Sequence, residues 1–525
     1  MPSFWVLHLA LMLGHILVLF NAAIYVAAIP KAAGALGVAP SFGTWAQTYY
    51  MMGWALAVPL ANWWGMRFGQ GRILLAGLAG FILASMICAW AQEFPLFLLG
   101  RILLGFPGGL ILLLTNAVAL SQWPSEKRLT MVVLWGMVGL TPLTLGGAFG
   151  GWLIDEWGWR WLFYLNIPLA AGVLLVLAWL LPCMGGGGRV WRFDWLGYIL
   201  LVGLMAGTHT LLNLGNDWDW WNSGLLTGVA FFTMVAFVFM IIWELGTPYP
   251  AVDLRLPLRQ RNVLIGIVCL AVGFFFIQGL FSFTIVRLQL IFGYETWLAG
   301  LVFLPLLLSY PMVALNHWLM RWVDLRLLIT LDLLGLSLAF FWFGHFDRRA
   351  WLDQLHWPMA LEGIFLGFFF APLTALIMTG VPHKHQRRVL EQVNIFRLAA
   401  GSWGISSMGV IAYFRTAFHR ANFADFFAQT PFLPFGQDRL TQFLSQRASI
   451  LGFDDPFLVA ADVFVLLAGL VWLANPAHLP VRLRWHSHLR WLRQLGMGQA
   501  PLRIALIMVL FISGCAGFPG EEDEG

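Results

Sequence analysis

About fourteen stretches of roughly twenty mainly apolar residues recur along the chain, near 6–30, 46–65, 73–92, 95–120, 129–153, 161–182, 195–215, 223–243, 263–286, 298–320, 327–345, 357–380, 393–414 and 457–475. A helix rises 1.5 Å per residue and a bilayer's hydrocarbon core is about 30 Å thick, so each stretch is long enough to cross a membrane once. Strands of a membrane barrel would alternate over about ten residues, whereas these runs are longer and apolar on every face. An all-α polytopic membrane protein is expected. Only 10% of the residues are charged and 60% are hydrophobic, which excludes an ordinary soluble domain.

Basic residues fix the expected orientation. With the amino terminus in the cytoplasm, the cytoplasmic loops hold Arg67, Arg72, Lys127, Arg128, Arg189, Arg192, Arg255, Arg259, Arg261, Arg321, Arg326, Lys384, Arg387 and Arg388, and the short loops on the opposite side only Lys31, Arg160, Arg348 and Arg349. Basic side chains next to spans resist translocation, so both termini are expected inside. The net charge of +5 then needs no nucleic-acid partner. The segment 481–494, "VRLRWHSHLRWLRQ", reads as an interfacial helix on the cytoplasmic leaflet. Cys88, Cys183, Cys269 and Cys515 are scattered, with no metal-binding spacing, so neither a metal nor a cofactor is expected.

The chain repeats itself. "RFGQGR" at 67–72 and "RWVDLR" at 321–326 each follow the second span of a group of six, and "PSEKR" at 124–128 and "PHKHQRR" at 382–388 each follow the fourth. Two bundles result, with an extra pair of helices at about 194–245 after the connector "GGGGRVWR". The expected divisions are 1–188 for the first bundle, 189–255 for the connector and inserted pair, 256–478 for the second bundle, and 479–525 for a basic tail.

Several segments carry a resemblance. "FNAAIYVAAIP" at 20–30, "NWWGMRFGQGR" at 62–72, "GRILLGFPGG" at 100–109, "GMVGLTPLTLGGAFGGWL" at 136–153, "WGWRWLFYLNIP" at 157–168 and "NIFRLAAGSWG" at 394–404 resemble signatures of the fourteen-helix drug:proton antiporter subfamily of the major facilitator superfamily, the EmrB/QacA type of multidrug exporter. The resemblance covers about residues 10–478. It implies the major facilitator fold, two six-helix bundles plus two inserted helices, and proton-driven efflux of amphiphilic compounds by alternating access. It places Asn21 where the family carries an acid, which leaves open substrate-specific or uncoupled transport, for example of a siderophore or fatty acid, and a non-transporting membrane receptor or scaffold is the alternative from another class. Arg67, Gly69 and Arg72 fall in the loop signature, although Met66 replaces its acid. Arg101 matches the intramembrane arginine associated with proton coupling, and Arg397 the later arginine signature. Gly146, Gly150 and Gly151 fit the antiporter glycine motif of helix five, with Pro142 upstream and Gly147 where its proline is expected.

No nucleotide cradle or hydrolytic constellation occurs, so an ion gradient must supply the work. Proton coupling needs a group that titrates inside the membrane. Glu362 and Asp332 are the acids within expected spans, and Glu362 lies in the helix corresponding to that of Arg101, so that the two can face one another; a helix-end carboxylate wetted from outside is its alternative. For Asp332, pairing with Arg326 or Arg321 is an equally good account. His15 is a further titratable candidate, with hydrogen-bonded packing as its alternative. Asn21, Gln278 and Arg397 are candidates for lining a substrate cavity. Asn21 can instead hold helices together, and snorkelling is the reading favoured for Arg287.

Residues 415–455 form the longest expected external loop, partly ordered, and family members with such a loop dock a periplasmic adaptor. That implies adaptor and outer-membrane channel partners besides protons, a lipophilic substrate and the lipid bilayer, in a bacterial inner membrane. From Met497, Arg503 followed by an apolar run and "ISGC" at Cys515 resembles a lipoprotein signal, read as a fusion with a neighbouring gene or as a tail anchor.

Overall fold

The computed structural model describes residues 2–123, 128–181, 192–346, 350–428 and 437–477. The Gly-rich connector, the basic segment 481–494 and the tail from Met497 lie outside the described residues, which contain helices and no strand. α1 (Pro2–Ala35), α2 (Pro40–Phe68), α3 (Gln70–Trp90), α4 (Phe94–Gln122), α5 (Arg128–Trp157), α6 (Trp161–Tyr164) and α7 (Asn166–Leu180) build the first bundle. α8 (Trp195–Leu214) and α9 (Gly224–Gly246) are the inserted pair, and the short α10 (Arg255–Arg259) follows. The second bundle comprises α11 (Arg261–Leu290), α12 (Thr296–Leu301), α13 (Ser309–Leu319), α14 (Leu325–Phe343), α15 (Leu352–Met378), α16 (His383–Ala428) and α17 (Gln437–Leu470).

Among the described residues, thirteen helical stretches are long and apolar enough to cross a membrane. α2 is not one of them. It has the length, but its sequence holds Gln47, Thr48, Tyr49, Tyr50 and Asn62, and its middle is buried against α4, α16 and α8 rather than facing lipid. The least apolar span is thus the one enclosed by protein, as expected where polar side chains must avoid hydrocarbon.

Connections are short because single residues turn the chain. Gly69, with φ of 97°, is the one residue between α2 and α3, and its N–H still bonds the Gly65 carbonyl at 3.1 Å. A residue with a Cβ is strained there. The span 296–319 is broken: a 3₁₀ turn over Leu304–Leu308 containing Pro305 separates α12 from α13, since proline lacks the N–H that a continuous helix uses.

The expected external loop at 415–455 is instead mostly helix. α16 continues to Ala428 and α17 begins at Gln437. At 46 residues α16 is about 69 Å long, more than a bilayer needs, so it projects beyond the membrane. Arg415 and His419 of α16 both reach Asp455 of α17, which ties the two helices together at that level.

Counted from α1, the helices alternate between a face bearing the amino terminus, here called the near face, and a far face. On the far face the two bundles meet closely. Asp155 at the end of α5 accepts the backbone N–H of Trp297 in α12 at 3.0 Å and also pairs with Lys31. Gln289 of α11 donates to the Ala27 carbonyl of α1 at 3.0 Å. Deeper in, the Tyr310 hydroxyl of α13 bonds Thr141 of α5 at 2.6 Å.

Candidate functional site: a buried arginine and the bundle interface

The first bundle closes around Arg101. Glycines bring α2 and α4 together: a Cβ added at Gly109 would stand 2.8 Å from the Trp54 Cα, and one at Gly53 would stand 2.7 Å from the Phe106 nitrogen. At that separation the Arg101 guanidinium of α4 reaches across α2 and α1. Its Nε donates to the Ala46 carbonyl at 3.1 Å, its Nη1 to Asn21 Oδ1 at 2.8 Å, and its Nη2 to Gln47 Oε1 at 2.7 Å. The Tyr25 and Tyr50 rings lie 4.1 and 4.2 Å from the guanidinium carbon. Arg101 is fully buried.

Taking such a cation out of water costs several kcal/mol. Three charge-assisted hydrogen bonds at about 1.5–3 kcal/mol each, with cation–π contacts of about 2 kcal/mol when desolvated, are of the size needed to hold it there. No carboxylate is among these partners. Arg101 and Glu362, which lie in corresponding helices and can face one another, share no bond among the described residues: the Arg101 donors go to α1 and α2, and the phenol rings cover the guanidinium. Asn21 supplies an acceptor and no charge, while its Nδ2 is buried without a partner among the described residues.

The glycine motif of α5 has two working faces. Gly146 and Gly150, one turn apart, press on α1, where an added Cβ would stand 2.8 Å from the Ala23 Cβ and 2.5 Å from the Ile24 Cγ2. Gly147 and Gly151 press on α12 of the other bundle, where a Cβ would meet the Gly300 Cα at 3.2 Å and the Thr296 carbonyl oxygen at 2.5 Å. Small residues four apart allow backbones this close. The residue that replaces the family's proline, Gly147, thus belongs to the inter-bundle contact, and Pro142 lies inside α5 toward the near face.

In the loop signature, Arg67 and Arg72 are both exposed, Gly69 makes the turn, and the Arg67 guanidinium stacks over Trp63 at 5.2 Å and Phe68 at 5.3 Å.

The titratable candidates lie apart from Arg101. Glu362 is half-buried on α15, and it makes no hydrogen bond or ion pair among the described residues. Its neighbour Gly363 packs on the broken span, where an added Cβ would stand 2.8 Å from the Leu306 Cα. Asp332 is buried in α14 with both carboxylate oxygens unpartnered among the described residues. Neither basic residue considered for it takes that role: Arg326 pairs with Asp324 at 3.0 Å, and Arg321 bonds the His317 ring at 3.1 Å. His15 is buried, with Nδ1 3.1 Å from the Thr115 hydroxyl. That hydroxyl donates to the Ile111 carbonyl at 2.7 Å, so the imidazole Nδ1–H is the donor to Thr115. His15 also lies within electrostatic reach of Arg397 of the second bundle. Arg397 is half-buried, bonds among the described residues only Asn394 at 3.2 Å, and stacks near Phe274 and Phe370. Gln278 is buried on α11 beside Gly401 of α16.

Arg287 does not snorkel. It is buried, donates to the Phe343 and Phe346 carbonyls at 3.1 Å each, and pairs with Asp454. Gln47, Tyr25 and Tyr50 also went unselected in the sequence, although the polar interruption of α2 marks where Gln47 stands. Among the described residues no group of three His, Cys, Asp or Glu is placed to hold a metal.

Comparison with known proteins accords with this architecture. A Multidrug export protein EmrB of Escherichia coli (strain K12) is 28% identical over 496 residues, covering 90% of this chain and 95% of that protein. A Fatty acid resistance protein FarB of Neisseria gonorrhoeae is 28% identical over 482 residues, covering 86% and 92%. Among solved structures, an auto-inhibited POT family peptide transporter superposes with a TM-score of 0.60 at 14% identity, covering 88% of this chain and 96% of that one. An inward-facing bacterial homologue of the human lysosomal transporter Spinster gives 0.58 at 13% identity, covering 90% and 97%. Both show the fold. The model of the Major Facilitator Superfamily matches residues 11–405, three quarters of a chain folded as two helical bundles about one interface, and the protein belongs to that superfamily.

Proposed function

We propose that this transporter exports amphiphilic compounds across a bacterial inner membrane in exchange for protons, by alternating access between the bundles, and that it is the inner-membrane component of an envelope-spanning pump. The observation that carries the reading is the pair of intramembrane acids without basic partners among the described residues, Glu362 and Asp332. An acid kept in a membrane without a counter-ion is costly, and a proton-carrying role gives it a purpose. The names of the similar exporters support the substrate class. Both termini are cytoplasmic on the distribution of arginines, so the near face is cytoplasmic and the far face periplasmic.

In this reading Arg101 holds α1, α2 and α4 as one body. Glu362 takes a proton when the far face is open, and its loss toward the cytoplasm accompanies substrate binding. Asn21, through its free Nδ2, Gln278 and Arg397 line the cavity. The helical projection of α16 and α17 docks a periplasmic adaptor, which passes substrate on to an outer-membrane channel.

The test uses inverted vesicles and the dye ethidium. Glu362→Gln is expected to abolish ethidium-stimulated proton movement, and full retention removes Glu362 from the mechanism. A second reading, export of fatty acids, is favoured by the relative named for fatty acid resistance and by Arg397, a proposed cavity cation with no carboxylate partner among the described residues. Oleate in place of ethidium separates the two. A protein that moves neither compound nor protons is a receptor or scaffold instead.

A further inference from the structure

The inserted helix α8 is bonded to both bundles, but in different ways. To α2 it is joined at both ends. Toward the near face the Tyr198 hydroxyl donates to the Leu56 carbonyl at 3.1 Å, and Phe193 and Trp195 pack on Trp63 with ring centroids 5.1 and 5.9 Å away. Toward the far face Asn213 Nδ2 donates to Thr48 at 3.0 Å, and Thr210 bonds the Tyr49 hydroxyl at 3.1 Å. To α16 of the second bundle its hydrogen bonds among the described residues lie only in the far-face half. His209 Nε2 is 3.0 Å from the Ser402 hydroxyl and Nδ1 is 3.1 Å from the Ser406 hydroxyl, while Trp403 Nε1 donates to Thr208 at 2.8 Å.

The histidine node has one consistent proton arrangement. Ser402 spends its own proton on the Ala399 carbonyl at 2.8 Å, so it accepts from Nε2–H. Nδ1 then accepts from Ser406. A neutral, fully buried imidazole is thereby satisfied on both nitrogens.

We infer that α8 travels with the first bundle and latches the far-face seam through His209 to Ser402 and Ser406, a latch that must open and re-form in every transport cycle. Separation of the bundles on the far face pulls α16 away from α2. The α8–α2 bonds, spread over both halves of the membrane, persist, and the three α8–α16 bonds cannot. While the seam is dry, losing those bonds leaves buried donors and acceptors unpaired, which opposes opening. Once the seam admits water, the same groups are hydrated and the opposition disappears, so the node favours two discrete states over intermediate ones. α9 adds nothing to this seam, since it packs mainly on α8 and exposes most of its remaining surface.

The test reads separation of the far-face seam without any substrate. Thr296, buried where α12 meets Gly151 of α5, is changed to Cys in a protein whose native cysteines are replaced, and its labelling by a water-soluble maleimide is timed in detergent micelles. His209→Ala, and separately the milder Ser402→Ala with Ser406→Ala, should each speed labelling several-fold over the parent. Asn213→Ala, which leaves α8 held to α2 by Tyr198 and Trp63, should stay within about twofold of it. Equal rates in all variants would overturn the latch, and acceleration by Asn213→Ala as large as by the others would overturn the assignment of α8 to the first bundle. Because no transport is measured, failure here leaves the exporter reading standing, and failure of proton exchange leaves the latch standing.

Discussion

Asn21 Oδ1 stands 2.8 Å from Arg101 Nη1, so an amide on α1 completes the hydrogen bonding of a cation on α4. This relationship explains how the first span can dispense with a carboxylate. The guanidinium is already held by Ala46, Gln47 and two phenol rings, and it needs an acceptor from Asn21 more than a countercharge. Asn21→Leu removes the acceptor and leaves a buried charged donor unpaired, at a cost of about 1–3 kcal/mol. Thermal unfolding in detergent should show that loss, and Asn21→Asp should unfold no earlier than the parent. If the Leu variant melts with the parent, the amide is not what holds Arg101.

Closure of the far face depends on Gly151 lacking a side chain. A methyl there would meet the Trp297 Cα and the Thr296 carbonyl oxygen at 2.5 Å, and backbone atoms cannot turn away as a side chain can. Gly151→Ala should therefore destabilise the protein by about 1–3 kcal/mol, the range for overpacking. Gly139→Ala on the same helix, where nothing lies within 4 Å of the added carbon, should be neutral or stabilise by up to about 1 kcal/mol. Melting temperatures of the two variants in the same detergent decide the matter; equal shifts would show that α5 and α12 adjust freely.

Much of this arrangement was legible in the sequence, for identifiable reasons. Span positions follow from hydrophobic length, which is local, and the glycines of α5 announce close packing by their four-residue spacing. The partners of those glycines were not legible, because Gly146 and Gly147 are neighbours in sequence yet face different bundles. Arg287 and Asp454 are separated by 167 residues, and no local pattern announces that pairing. The helical continuation of α16 past the membrane was hidden because "RTAFHRANFADFF" is too polar to read as a span, although nothing in it breaks a helix. Gln47 is hidden in the sequence for a related reason: polarity in α2 reads as a weak span until the helices enclosing it are known.

Arg287 and Asp454 should behave as a coupled buried pair. Removing one partner leaves the other charge uncompensated, so Arg287→Met alone is expected to cost about 3–5 kcal/mol. The double change Arg287→Met with Asp454→Leu should recover most of that loss, because neither charge then remains to be desolvated. A double-mutant cycle on unfolding in detergent measures the coupling. Additive losses would mean that the two side chains are each solvated independently.

Asp332 sets stability against function. Its carboxylate is buried in α14 with neither oxygen bonded among the described residues, so the folded state carries an unrewarded polar group. Asp332→Leu keeps a similar volume and removes that burden, and should stabilise by about 1–3 kcal/mol on the scale of unpaired buried polar groups. Such a burden is tolerated when the strained residue is used, and a stabilising change at a working site costs activity. If Asp332 carries protons together with Glu362, the Leu variant should melt later than the parent and show reduced ethidium-stimulated proton movement in vesicles. A later melt with undiminished exchange would remove Asp332 from the proposed exchange and leave Glu362 as the only acid of the pair proposed for it.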